Sequence, residues 1–134
     1  MTALNLFCAK IDIIVDKIRQ ATPKFVIIDT PGQIEAFTWS ASGQMITECL
    51  ACEFPTIISY ITDSEKCSSP NTFMSNMLYS LSIMYKSRLP LIAAFNKIDI
   101  KEYSYAISWL TDFEEFEVFL KRNQLKKHKI IDQH

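Results

Sequence analysis

Two short stretches hold residue types that could do chemistry together. Asp29-Thr30-Pro31-Gly32-Gln33-Ile34-Glu35 follows the apolar run Phe25 to Ile28, and Asn96-Lys97-Ile98-Asp99 follows the apolar run Leu91 to Phe95. A carboxylate and a glycine at the tip of a strand suit a nucleotide phosphate with its magnesium, because Asp can hold the metal's water shell and Gly lets a backbone N–H approach an oxygen. Read this way, Asp29 holds magnesium through a water and the Gly32 N–H faces a γ-phosphate. Gln33 and Glu35 are placed to orient an attacking water. In the second stretch the Asp99 carboxylate can accept from the guanine ring N–H and exocyclic amine, a donor pair that adenine does not present. Asn96 ties that loop and Lys97 lies along the base. Either motif alone is weak, and the two on separate strand ends form a specific pattern.

These residues need elements to hold them. Leu4, Phe7, Ile11, Ile14, Val15 and Ile18 recur at helical spacing, which predicts an amphipathic helix over residues 3–20 closed by Pro23. Phe25 to Ile28 is a continuous apolar run, and Thr56 to Thr62 and Leu91 to Phe95 have the same look, the pattern of parallel strands buried on both faces. Ser69-Pro70 opens a helix with an apolar stripe of Phe73, Met74, Met77, Leu78, Leu81 and Met84. Those methionines read as core filler or as a dimer surface. Ile107, Leu110, Phe113, Phe116 and Leu120 predict two further helices broken near Thr111-Asp112. Alternating helices and strands predict an α/β fold with a parallel sheet and ligands at the carboxyl ends of the strands. Both motifs fall on that edge.

Composition bounds the alternatives. With 49% hydrophobic and 22% charged residues in 134, the chain reads as one globular domain. A formal charge of −1 gives no support to direct nucleic-acid binding or to a membrane-surface protein. No apolar run approaches the ~20 residues that span a bilayer, and no signal-peptide pattern opens the chain. Cys8, Cys49, Cys52 and Cys67 fit reduced thiols of an intracellular protein. The pair Cys49 and Cys52 lacks the partners a metal or redox site needs and reads as core packing. Trp39 and Trp109 carry no readable chemistry. Residues 121–134, with Lys121, Arg122, Lys126, Lys127, His128 and Lys129, form a basic tail after a domain over 1–120.

The run DTPGQIE, FTWSASG, ITE, FPT, NTFMSNMLY and KSRLPLIAAFNKID resembles the GPN-loop GTPases over roughly residues 3–120. The resemblance implies a P-loop NTPase-like sheet flanked by helices, and hydrolysis of GTP to GDP with magnesium. It implies a dimer with a second copy or a paralogue, and a role with RNA polymerase II subunits in assembly and nuclear import, hence a cytoplasmic protein that shuttles to the nucleus. It places Asp29, Gly32, Asn96, Lys97 and Asp99 on the nucleotide, Asp29 on the metal, and Gln33 and Glu35 in hydrolysis. Gly32 and Gly43 are the two glycines of the chain, so no GxxxxGK[ST] loop occurs in it, and Met1 stands just after the place of the family's Gly-Pro-Asn loop. The expectation is a fragment missing the P-loop strand. Charge-assisted phosphate contacts contribute about 1.5–3 kcal/mol each against an association cost of about 4–15 kcal/mol, so this chain alone is expected to be inactive. A non-enzymatic interaction module that keeps the family's dimer surface is the competing expectation.

Overall fold

The computed structural model describes the backbone of residues 2–131 and the side chains of residues 3–123. In chain order the elements are α1 (Thr2–Ala9), α2 (Ile11–Ala21), α3 (Ile34–Thr38), α4 (Ala41–Glu53), β1 (Ile58–Asp63), α5 (Pro70–Ser87), β2 (Leu91–Asn96), α6 (Ser104–Thr111) and α7 (Phe113–Ile131). A short 3-10 turn, Lys66–Ser68, joins β1 to α5. The sheet is two-stranded, β1 beside β2. Ile58 N donates to Pro90 O at 2.9 Å and Ser64 N to Asn96 O at 3.0 Å, the same offset at both ends, so the pair is parallel. The predicted α/β class with helices flanking a parallel sheet is the observed one.

Two compact units divide the chain, Met1–Ile58 with Ile83–Pro90, and Ser59–Ser82 with Leu91–His134. In the first, Val15 of α2 and Ile46 and Leu50 of α4 form a buried cluster against which Phe7, Ile11, Ile18 and Phe37 pack. Ser40 caps α4: its Oγ accepts from the Gly43 N–H at 3.0 Å. In the second, Phe73, Ala106, Trp109 and Phe116 make the core, with Met74, Met77, Phe95 and Tyr105 packed on it. Trp109 sits edge-on to Phe73 at 5.2 Å and to Tyr105 at 5.0 Å, the arrangement that ring quadrupoles favour.

Three sequence expectations differ from what is observed. The helix predicted over residues 3–20 is two helices, because Lys10 leaves helical geometry (φ −113°, ψ 14°) and its N–H closes a tight turn on Phe7 O at 3.0 Å. Phe25 to Ile28 forms no strand: the run has no ladder partner among the described residues, and Phe25 and Ile27 are 81% and 93% exposed. The stripe on α5 is narrower than read, since Leu78, Leu81 and Met84 are exposed while Ser80 and Ile83 are buried. The break between α6 and α7 falls at Asp112, as the pattern predicted. Helix α7 runs on through Ile131, and the side chains of Lys126, Lys127, His128 and Lys129 lie outside the described residues.

Candidate functional site

The loop after β2 is built by the end of β1. Asn96 closes the strand, and its backbone carbonyl accepts twice from Ser64, from the N–H at 3.0 Å and from Oγ at 2.7 Å. Ser64 is fully buried, and its own carbonyl accepts from the Tyr105 hydroxyl at 2.6 Å. The Asn96 side chain turns back on the loop, with Oδ1 accepting from the Lys97 N–H at 2.9 Å. Lys97 adopts a left-handed backbone, φ 60°, which a non-glycine residue takes at a cost in strain. Its carbonyl then accepts from Ile100 N and Lys101 N, so Ile98 and Asp99 are carried on an exposed turn.

Lys97 is gripped at its tip as well. Its Nζ donates to Asp63 Oδ2 at 2.8 Å, while Asp63 Oδ1 accepts from the N–H groups of Glu65 and Lys66 at 3.1 and 3.3 Å. The Lys97 ammonium, aided by those backbone donors, holds the Asp63 carboxyl below the usual carboxylate range. The same pair raises Lys97, to which Glu65 and Asp99 add their negative charge. Burial pushes the Tyr105 phenol up, with Cys67 and Asp63 nearby adding to it.

Asp29, Gly32, Gln33 and Glu35 belong to the other unit. Asp29 ends the exposed, irregular run, and Gly32 has open space where a Cβ would stand. Gln33 is the N-cap residue of α3 and makes no side-chain capping bond, and Glu35 is exposed in its first turn. The described residues contain no cluster of three metal-ligating side chains. Asp29 is therefore a fit for magnesium only in the way one carboxylate shares that ion with phosphate oxygens and water. Lys86 flanks the same segment, its Nζ 4.3 Å from the centre of the Trp39 ring and donating to Thr38 O at 2.7 Å. An open groove of about 460 Å³ on α1 and α2, lined by Leu6, Phe7, Lys10, Ile13, Ile14 and Lys17, contains none of the motif residues.

Sequence reasoning found the loop but not what grips it. Asp63, Ser64 and Tyr105 went unassigned, although a strand ending in Thr-Asp-Ser and running parallel to one ending in Asn-Lys must bring those ends side by side.

The chain has known relatives in sequence and in fold. A family model described as a conserved hypothetical ATP binding protein matches residues 1–133. GPN-loop GTPase 1 of Saccharomyces cerevisiae is 54% identical over 126 residues, which are 92% of this chain and 33% of that protein. GPN-loop GTPase 1 of Dictyostelium discoideum is 51% identical over 119 residues, 87% of this chain and 30% of that one. The chain thus spans about a third of the length of these relatives. Among solved structures, a GTPase in apo form from Pyrococcus abyssi superimposes with a TM-score of 0.68 at 26% identity, covering 86% of this chain and 47% of that one. With the whole described chain inside one family model and more than half of the aligned residues identical to these two relatives, this protein belongs to the family of GPN-loop GTPases.

Proposed function

We propose that this chain supplies the guanine-reading loop and the phosphate-facing Asp29 to Glu35 segment of a protein that binds and hydrolyses GTP. The observation that carries this is the Asn96 to Asp99 turn, whose first residue is bonded twice to Ser64 and whose second is pinned to Asp63, leaving Asp99 exposed for a base. The matching family model is described by ATP, whereas the relatives are named for GTP. Asp99 supports the GTP reading, because a carboxylate accepts the two donors on guanine's edge and finds one amine at most on adenine's. Asp29 would hold magnesium through a water, the metal supplying charge neutralisation at the phosphates. The Gly32 N–H would face the γ-phosphate, and Gln33 and Glu35 would orient the attacking water.

The same reading includes a dimer with a second copy or a paralogue, RNA polymerase II subunits as partners, and a cytoplasmic protein that enters the nucleus. No helix among the described residues is long and apolar enough to cross a membrane. A second reading, an interaction module without hydrolysis, is favoured by the exposed apolar groove on α1 and α2. The test is a chimera in which these residues replace the matching third of the yeast relative. It should hydrolyse GTP, and Asp99→Asn should shift it toward xanthine nucleotides, whose carbonyl accepts from an amide. The 134-residue chain alone should show no turnover above buffer. A chimera whose Asp99→Asn variant still prefers GTP over XTP refutes the loop assignment.

A further inference from the structure

We infer that Asp63 is a positioning residue for guanine recognition, acting through Lys97; this rests on the base-reading assignment of the Asn96 to Asp99 loop. An ion pair with one half-exposed partner adds little to folding, because water screens it and two side chains lose freedom in making it. Here the arrangement goes further than an ordinary surface pair. Asp63 cannot swing freely, since two backbone N–H groups hold Oδ1 and leave Oδ2 for the Lys97 ammonium at 2.8 Å. The lysine's other end is fixed too, by a left-handed backbone whose carbonyl is bonded to Ile100 N and Lys101 N. A flexible four-carbon stem is thus stretched between two fixed points beside Asp99.

A lysine stem that lies along a purine must be ordered before the base arrives, or its rotamer freedom is lost on binding. Asp63 removes that freedom in advance. Its neighbour Ser64 grips Asn96, so consecutive residues at the end of β1 fix consecutive residues at the start of the loop. The device is specific to the loop's orientation and makes no contact that would read the base itself.

The experiment follows backbone amide shifts of Lys97, Ile98 and Asp99 in the ¹⁵N-labelled 134-residue chain during millimolar titration with guanosine monophosphate, with adenosine monophosphate as control. Asp63→Asn should weaken the guanosine response about tenfold and leave the adenosine response unchanged. Lys97→Met should lose as much, and the double variant should lose no more than either, the sign of one shared interaction. Asp63→Glu should recover part of the affinity, and it closes the same cycle should Asp63→Asn fail to fold. Additive losses, or guanosine affinity unchanged in Asp63→Asn while Asp99→Asn abolishes it, would overturn the inference alone. No guanosine response in the unsubstituted chain, or one that survives Asp99→Asn, sinks the base-reading assignment and this inference with it.

Discussion

At the scale of single residues, the polar groups around β1 fall into two kinds with opposite consequences. Thr62 is 3% exposed and its Oγ1 has no hydrogen-bond partner among the described residues, so a buried hydroxyl is held without return. Thr62→Val keeps the branched shape and removes the orphan, and it should raise stability by about 1 kcal/mol, read from the urea midpoint at constant m. A loss of stability would mean that the hydroxyl is satisfied. Asp63 is the contrary case, lowered chiefly by the Lys97 ammonium and then by the Lys66 and Glu65 N–H groups. A carboxylate lowered in the folded state contributes stability above its unfolded value of about 3.9, and that contribution is lost as pH falls through the folded value. Lys97, raised by the same pair, keeps its contribution below about 10.4 and loses it as pH rises through its folded value. The stability difference between the parent chain and Asp63→Asn should therefore be flat through neutral pH and shrink in acid. Urea titrations at a series of pH values check it, and a difference that persists in strong acid would show that the ion pair is not its source. Of the site, the sequence made Asn96, Lys97 and Asp99 readable because they are contiguous. Asp63 and Ser64 act across a strand pair, and a linear motif does not encode its spatial neighbour.

At the scale of elements, α3 and α4 meet at a contact that leaves no room for a side chain. A Cβ on Gly43 would lie 1.9 Å from the Phe37 carbonyl oxygen and 2.8 Å from its carbon. Those are backbone atoms and cannot rotate aside. Gly43→Ala should cost about 3 kcal/mol, whereas Ser40→Ala, which removes the cap on the Gly43 N–H and the hydroxyl's own bond to Phe37 O, should cost about 1 kcal/mol. Thermal melts of both variants rank the two effects, and a Gly43→Ala chain as stable as its parent would show that α3 is not held against α4. Legibility at this scale depended on whether a pattern carried its own boundary. Pro70 announced α5, and strands β1 and β2 lie within two residues of their apolar runs. The stripe Phe7, Ile11, Ile14 crosses the break at Lys10 without a gap, so periodicity alone contains no sign that α1 stops there.

At the scale of the whole molecule, Phe25 to Ile28 is the segment expected to govern association in solution. The run has no charge between Lys24 and Asp29, its residues are of high strand propensity, and Phe25, Val26, Ile27 and Ile28 are 81%, 47%, 93% and 37% exposed. An exposed apolar run with no ladder partner among the described residues presents open N–H and C=O groups to any similar segment, the usual origin of edge-to-edge association. The apolar pattern predicts a strand that is not formed here, because ladder pairing and burial on both faces are properties of neighbours, which no single run specifies. Single exposed apolar residues elsewhere lack that backbone edge: Tyr85 is 87% exposed but lies on α5, whose backbone bonds are internal. Two substitutions separate the causes. Ile27→Lys should lower light scattering of the concentrated chain severalfold and leave its melting midpoint unchanged, because the side chain gives up almost no buried area. Tyr85→Lys should leave scattering as it was. Equal relief by both would assign the association to overall surface hydrophobicity, and no relief by Ile27→Lys would show that this segment already has a partner in solution.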